Sequence, residues 1–488
     1  MTDLSPEPRR LHPATLVVRW LKIAPQALAG VGAAAIGMAK NGLGSVVISV
    51  AIGSLAVVAV AFLVWWRFRY TVGAGEIVIE SGVLNRQRRV IPYDRVQDIA
   101  IERRLLARLF GTAKVKIETG GSAADEGTLD MIALADAYAL RDFIRRGHSD
   151  APATPTAEEP VLFALSFGQL LFSGLFNFSL LFLAFIFAVL QYLEQFGLFD
   201  MEAWLTPENA TAAAGYLSIR ITLTLVPLLL ILGLVSGVVR TVMRDFGFRL
   251  TRTPAGLRRR RGLFTLSEVV IPVRRTQVAL IESGPIARQL GWYSLSFQTL
   301  GADQKEGGVQ VVAPFARMDQ LLPILAEGGY PPPPPRPSFV RVPRRALVRW
   351  AGPWLLLGAA VAASALLVAP RSGFAGAFLL AMGLFAVLRW RKHAYALGDH
   401  ALFVSGGILK RRSWIIPFDK TQTISVGQGP LQRRLGLASL LVDTAGASPI
   451  RSPEIVDLDA AEADPLADRL LGLFYQARSQ RTRPATIA

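Results

Sequence analysis

The feature that most constrains the fold of this 488-residue chain is an internal repeat. Offsets of 180 and 325 residues align three blocks without a gap over forty positions, starting at position 82. Eight identities recur in all three blocks, and in the first they are Gly82, Ile91, Pro92, Gln97, Arg108, Gly111, Thr119 and Gly121. Self-similarity at fixed offsets marks a repeated structural module. The chain is therefore a triplicated unit.

Within each block the pattern predicts a small antiparallel β domain closed by a helix. An isoleucine-rich strand runs into a turn at Gly82, and Pro92 ends a second strand, because proline cannot donate to a central ladder. Residues 104–110 predict a short helix that Gly111 closes in a left-handed cap. The blocks end in helical stretches, at Ala133–Arg145, Ala316–Ala326 and Ala460–Phe474.

Long apolar runs precede the blocks in three pairs. They are Ile23–Ala39 with Leu43–Trp66, Phe167–Leu190 with Ile221–Val239, and Ala351–Ala369 with Phe374–Leu388. A membrane-spanning helix needs about 20 apolar residues, and 52% of the chain is hydrophobic. The sequence therefore predicts an α+β membrane protein with six transmembrane helices in three hairpins, each followed by a β domain.

The distribution of basic residues predicts a topology. Of the 53 Lys and Arg residues, the loops inside the three pairs hold Lys40, Arg220 and Arg371 alone. Cytoplasmic loops carry the excess of basic residues, so both termini and all three domains are expected in the cytoplasm. Most of the +17 net charge is then explained without nucleic acid. The blocks themselves carry only +2, +6 and +5, too little for a nucleic-acid-binding surface.

These observations divide the chain into six expected regions. They are 1–66, an N-terminal segment and the first pair; 67–150, the first β domain; 151–239, a linker and the second pair; 240–330, the second domain; 331–388, a Pro-rich linker and the third pair; and 389–488, the third domain. The run Pro331–Pro335 indicates a semi-rigid spacer.

The order of the repeated motifs resembles that of the bacterial membrane-flanked pleckstrin-homology-like (PH-like) domain family. The order is Gly, Ile-Pro, Arg/Lys-x-Gln, a short helix with Arg-x-x-Gly, and a strand ending Thr-x-Gly. The three-copy, six-helix arrangement is similar to one type within that family, over nearly the whole chain. The resemblance implies two packed β-sheets with a C-terminal capping helix, and no enzymatic activity. It also implies a location in the inner membrane of a bacterial cell. The second block departs in charge, with Glu268 at the position of Arg88 and Ser294 at that of Lys114.

The candidate sites for lipid or partner contact are basic. One set follows the Ile-Pro turns and consists of Arg95, Arg275 and Lys420. The other lies in or beside the first hairpin, where the resemblance implies a lipid-binding cluster, and consists of Arg258, Arg259, Arg260 and Arg261 with Lys410, Arg411 and Arg412. Clustered cations attract anionic lipid by about 1 kcal/mol per charge. The alternative for each set is that it binds no ligand. The first set would then be solvated turn residues, and the second would be charges at strand ends.

The sequence contains no recognisable arrangement of catalytic or metal-binding residues. There is no cysteine, so disulfides and thiol nucleophiles are excluded. The four histidines lack metal-ligand spacing with a nearby acid, and they are His12, His148, His393 and His400. The sequence therefore predicts no cofactor, no metal and no enzyme activity.

Two function classes remain. The first is a multi-pass membrane scaffold or adaptor that presents three cytoplasmic PH-like domains to proteins and to anionic lipid headgroups. The second is a transporter or channel component built from the six helices, but such proteins place ionisable groups inside their spans, and the six runs contain none. The sequence favours the scaffold. The resemblance to paired systems implies a smaller membrane protein of the same family as partner, and the oligomeric state stays open.

Overall fold

A computed structural model describes residues 7–18, 43–73, 75–83, 85–119, 127–146, 159–177, 219–299, 308–367, 372–444 and 453–482. The fold of these residues is α+β, with antiparallel sheets. The chain divides into two compact units. Unit 1 comprises Met1–Pro160, Thr251–Ile271 and Gly301–Lys305, and unit 2 comprises Val161–Leu250, Pro272–Leu300 and Glu306–Ala488.

The first block follows the predicted order of strands and helices. Its elements are helix α1 (Leu43–Arg67), strands β1 (Arg69–Val72), β2 (Glu76–Ser81), β3 (Gln87–Pro92) and β4 (Val96–Arg103), helix α2 (Leu105–Leu109), strands β5 (Thr112–Thr119) and β6 (Gly127–Ala133), and helix α3 (Leu134–Arg146). Side chains from both sheets and from α3 bury one core, as Ile77, Ile117, Leu129 and Leu140 show.

The second block repeats this order. Its elements are β7 (Val161–Ala164), α4 (Phe167–Leu175), α5 (Ile219–Asp245), β8 (Arg249–Thr253), β9 (Gly256–Arg261), β10 (Leu266–Ile271), β11 (Thr276–Ser283), α6 (Pro285–Gln289), β12 (Trp292–Thr299), β13 (Val309–Arg317) and α7 (Met318–Glu327). Strands β9 and β10 lie in unit 1 and β11 to β13 lie in unit 2, so the block is shared between the units.

The third block lies wholly in unit 2. Its elements are β14 (Val340–Arg341), α8 (Ala346–Trp350), α9 (Gly352–Leu367), α10 (Ser372–Lys392), β15 (Ala394–Leu397), β16 (Ala401–Gly406), β17 (Arg411–Pro417), β18 (Thr421–Gly427), α11 (Pro430–Leu435), β19 (Leu437–Thr444), β20 (Glu454–Asp459) and α12 (Ala460–Thr482). Each block thus ends in a helix that follows its last strand, as predicted.

The repeated prolines and glycines occupy equivalent backbone positions. Each repeated proline precedes a single-turn 3₁₀ helix, namely Pro92, Pro272 and Pro417. The glycines after the short helices all have positive φ, with 61° at Gly111, 76° at Gly291 and 63° at Gly436. The hairpin glycines have φ of 99°, 115° and 91°, at Gly82, Gly262 and Gly407. A Cβ at any of these three would lie 1.9–2.2 Å from a backbone carbonyl oxygen. The repeat and its turns are confirmed.

The strands of neighbouring blocks join into continuous sheets. In unit 1, β1-β2-β3 form a three-stranded sheet, and the order β6-β5-β4-β10-β9 continues the second sheet of the first block into the second block. In unit 2, the order β13-β12-β11-β17-β16-β15-β14 joins the second block to the third, and β18-β19-β20 form a three-stranded sheet. We call the β4–β10 pairing the first joint and the β11–β17 pairing the second joint.

Helices outside the β domains pack through small residues. A Cβ at Gly174 in α4 would lie 2.6 Å from the Cα of Val238 in α5. Likewise, a Cβ at Gly376 in α10 would lie 2.7 Å from the backbone nitrogen of Ala362 in α9. Glycine at these positions lets the two helix backbones approach closely.

The predicted six transmembrane helices are not supported. No helix within the described residues combines the length and the apolar character that a membrane crossing needs. Helix α9, for example, has 16 residues, short of the roughly 20 required. The run Ile23–Ala39 and most of Phe167–Leu190 lie outside the described residues. The expectation of six spans in three hairpins is therefore wrong, and the topology with both termini cytoplasmic loses its basis.

Candidate interaction surfaces

The first joint places one acid, Glu268, beside two arginines and a tyrosine. In the β4–β10 ladder, Glu268 lies opposite Ile101 and Ser267 opposite Glu102. The Glu268 carboxylate accepts a hydrogen bond from Arg141 Nη1 at 2.6 Å and one from Tyr138 Oη at 3.3 Å. Arg258 Nε lies 3.8 Å from the same carboxylate.

This arrangement keeps Glu268 ionised. Burial would raise the pKa of Glu268, but the hydrogen bond and charge of Arg141, with the charge of Arg258, outweigh it and lower the pKa below its usual value. The acid that marked the second block as unusual therefore completes a buried ion pair with the capping helix α3 of the first block. The charge change is visible in the sequence, but the partner of Glu268 is not, because Arg141 is 127 residues away.

The second joint has an acid of its own. Glu282 in β11 lies opposite Arg412 in β17. Its carboxylate lies 3.0 Å from Arg412 Nε and 2.7 Å from Lys410 Nζ. Two cations of the predicted lipid-binding cluster thus form ion pairs within the chain. Their neighbour Arg411 donates from Nε to Ser405 Oγ at 3.1 Å, and burial together with the charges of Arg288 and Arg336 lowers its pKa.

The arginines of the run Arg258–Arg261 also interact largely within the protein. Arg258 Nη1 lies 2.9 Å from Glu159 Oε1. Because side chains alternate along β9, Arg259 is buried whereas Arg260 is exposed, and Arg261 is half-buried. The run is not a continuous cationic surface, and Arg260 is the member that faces solvent most fully.

The residues after the Ile-Pro turns all lie at the end of a 3₁₀ turn. Arg95 is exposed. The half-buried Lys420 donates from Nζ to the carbonyl oxygen of Arg274 at 3.1 Å. Arg275 donates its backbone N–H to the Pro272 carbonyl oxygen and accepts from Gln277 Nε2 at 3.2 Å. These contacts stabilise the turns of the second and third blocks.

Two of the edge strands, β3 and β18, are the repeat equivalents of strands that pair at the joints. Strand β3 pairs with β2 and strand β18 pairs with β19, and within the described residues neither has a partner on its other side. We call these two sides the open edges. Val90 in β3 is 44% exposed, whereas its repeat equivalents Val270 and Ile415 are 2% and 0% exposed.

The same contrast holds for the other open edge. Val426 in β18 is 37% exposed, whereas its equivalents Ile101 and Ile281 at the joints are 1% and 5% exposed. Apolar side chains that are buried at both joints are thus exposed at both open edges. An exposed strand edge is a template for pairing with another strand. Sequence reasoning missed these edges, because nothing in a single block shows which strands find partners in the next.

A buried polar cluster connects strand β20 to helix α8 within the third block. Asp457 is fully buried and accepts hydrogen bonds from Gln432 Nε2 at 2.6 Å, from Arg349 Nε at 2.8 Å and from Trp350. His393 Nε2 accepts from the backbone N–H of Val456 at 3.1 Å. Burial, with the charge of Arg389, lowers the pKa of His393 to about 4. The neutral imidazole is therefore a structural acceptor. In the part of the chain that the structure describes, no group of acids and histidines is arranged to hold a metal ion.

Comparison with known proteins agrees with this architecture. The family model of the bacterial PH domain matches residues 24–148, 209–327 and 353–473. The chain is also 22% identical over 444 residues to the UPF0699 transmembrane protein YdbT of Bacillus subtilis (strain 168). The aligned residues cover 85% of this chain and 87% of that protein. No solved structure matches. Three matches, one for each repeated block and together spanning most of the sequence, show that this chain belongs to the bacterial PH domain family.

Proposed function

We propose that the protein is a membrane-associated, non-catalytic scaffold whose PH-like domains bind other proteins through strand edges. The observation that carries the proposal is that apolar strand edges are exposed at β3 and β18, whereas the equivalent edges are buried at both joints. Strand addition to a sheet edge is a common mode of protein recognition, in which backbone hydrogen bonds give affinity and side chains give specificity.

The charge distribution supports protein binding over lipid-headgroup binding. Glu282 engages Lys410 and Arg412, and Glu159 and Glu268 engage Arg258. A cation that is paired with an internal carboxylate loses that interaction if it moves to a headgroup. Anionic lipids are therefore secondary partners, bound through exposed residues such as Arg260 and Arg95.

Membrane association is supported by the relative, which is named a transmembrane protein. Association with a membrane raises the effective concentration of partners in the same membrane without new contacts. A scaffold benefits from this, because a modest affinity of a partner strand for an open edge is then enough for binding. The alternative of a transporter or channel depended on six spans and is not proposed. The partner expected from the sequence, a smaller membrane protein of the same family, is one candidate for the open edges.

Site-specific photo-crosslinking of the full chain in its native membrane tests the proposal. A photoreactive phenylalanine analogue replaces Val90 or Val426 at the open edges, and Tyr475, which is 65% exposed on α12, is the matched control. We expect discrete protein adducts at the two edge positions and not at the control. Adducts with lipid alone at the edges, or the same protein adducts at all three positions, would show that the edges are not protein-binding sites.

A further inference from the structure

The two joints are built in the same register. Ile101 lies opposite Glu268 at the first joint, and Ile281 lies opposite Ser413 at the second. Under the repeat offsets, Ile101 and Ile281 are the same position, and so are Glu268 and Ser413. The joint is therefore a property of the repeated unit. The first strand of one block's second sheet pairs with the third strand of the next block's first sheet.

Each chain leaves one half of this joint unused in its first block and the other half unused in its third block. Strand β3 is the third strand of a first sheet, the type that β10 and β17 contribute to the joints. Strand β18 is the first strand of a second sheet, the type that β4 and β11 contribute. The two open edges are thus the two complementary halves of a third joint.

We infer that a second copy of this chain occupies the open edges, with β3 of one copy paired antiparallel to β18 of the next. This inference rests on the proposed scaffold function and names its partner. The repeat register sets the pairing. Val90 lies opposite Ile424, as Ile415 lies opposite Ala279 at the second joint, and Arg88 lies opposite Val426.

Charge favours this pairing over pairing of β3 with itself. Strand β3 carries Arg88 and Arg89, whereas β18, from Thr421 to Gly427, carries no charged side chain. Two antiparallel β3 strands would bring arginines together across the ladder, and like charges on facing strands are destabilising. A β3–β18 contact avoids this repulsion and pairs Val90 with Ile424.

Because β3 and β18 are different surfaces, the contact is heterologous. Each added copy presents a new open edge, so assembly continues into a chain or closes into a ring. It does not stop at a dimer unless the geometry closes at two copies. The association is therefore expected to give a series of multimers.

Cysteine crosslinking of the full chain in membranes tests the inference, and the cysteine-free sequence gives a clean background. One tagged population carries Val90→Cys and a second, differently tagged population carries Ile424→Cys. Directly opposed residues on paired strands have Cβ atoms about 4.5–5.5 Å apart, within reach of a short bis-maleimide. We expect a dimer that carries both tags, and a ladder beyond the dimer when one chain carries both cysteines.

The register supplies the control. Gln428→Cys replaces Ile424→Cys and lies four residues along the chain, about 13 Å away in an extended strand. We expect its crosslinking with Val90→Cys to be several-fold weaker. A matched charge pair gives a second readout: Val426→Arg, opposite Arg88, should weaken the ladder, and Arg88→Glu should restore it.

Three results would overturn the inference. They are equal yields from Ile424→Cys and Gln428→Cys, crosslinking by Val90→Cys alone as strong as by the pair, and no multimer at all. If photo-adducts at the open edges contain a different protein and no second copy, self-association is refuted while the scaffold function stands.

Discussion

The buried ion pair at the first joint gives the sharpest test of the structure. We expect Arg141→Met to destabilise unit 1 strongly, because it leaves the Glu268 carboxylate charged in a site where the side chains of Arg141 and Glu268 are 7% and 10% exposed. Breaking a buried pair in this way costs about 3–5 kcal/mol. The lower end applies, since Arg258 at 3.8 Å and Tyr138 at 3.3 Å remain near the carboxylate.

Thermal unfolding of the full chain measures this effect. A loss of about 3 kcal/mol should lower the Tm of a unit of this size by roughly 6–12 °C. Adding Glu268→Met should restore most of the loss, because a pair of apolar side chains replaces the unpaired charge. The control is Arg88→Met, which removes an exposed pair with Glu80 at 3.8 Å and should cost at most about 1 kcal/mol.

The effect of Arg141→Met should also depend on pH. The pKa of Glu268 is lowered in the folded protein, so the pair stabilises above the ordinary glutamate pKa and its contribution is lost as the pH falls through the lowered value. The Tm difference between wild type and Arg141→Met should therefore be full at neutral pH and shrink as the pH falls toward the lowered pKa of Glu268. A Tm difference that does not change with pH, or one no larger than that of Arg88→Met, would refute the assignment of a buried ion pair.

Three further outcomes are expected. Because the pKa of His393 is lowered from 6.5 to about 4, stability should fall by about 3 kcal/mol as the pH drops between those values, and His393→Gln should remove this dependence in pH-scanned thermal unfolding. Gly262→Ala should lower the Tm, because its φ is 115° and the new Cβ would lie 1.9 Å from the Thr265 carbonyl oxygen. Gly472→Ala, in open space on helix α12, should raise the Tm by the equivalent of up to about 1 kcal/mol. A Tm that is higher for Gly262→Ala than for Gly472→Ala would contradict the positive-φ turn at Gly262. Asp457→Asn should cost about 1.5–3 kcal/mol in the same assay, since it weakens hydrogen bonds to a charged group.

Local backbone geometry could be predicted from the sequence. The positive φ at Gly111 and the end of a strand at Pro92 follow from residues within a few positions of each other. Glycine is the residue that adopts a positive φ without strain. The glycine that recurs after the short helix in all three blocks therefore predicted three equivalent turns. The capping helices followed from periodicity in the same local way.

The joints could not be predicted, because they depend on strands far apart in the chain. The first-hairpin cations of the third block were interpreted as a lipid-binding cluster, but Lys410 and Arg412 face Glu282, 130 residues before Arg412. No local pattern identifies that partner. A cluster of cations in the sequence predicts a basic surface, but it does not show which carboxylates the fold places beside it. Lipid contact and protein contact therefore stayed as alternatives.

The membrane expectation rested on composition. Most of the long apolar runs satisfy the length criterion as sequence. No described helix, however, has both the length and the apolar character of a span. Glycines such as Gly174 and Gly376 lie where helices touch, so part of the apolar content of these runs is used in contacts between helices. Hydropathy alone does not separate that use from contact with lipid.

The first joint also has a consequence for the order in which the chain is made. Ile101 is synthesised about 170 residues before its partner Glu268, and at about 5–20 residues per second this gap lasts on the order of ten seconds or more. During that interval β4 on a growing chain offers the same kind of strand edge that β18 retains in the finished protein. A neighbouring nascent chain that met β4 in this interval would find its edge unfilled, so we expect the spacing of ribosomes on the messenger RNA to influence whether blocks join within a chain or between chains.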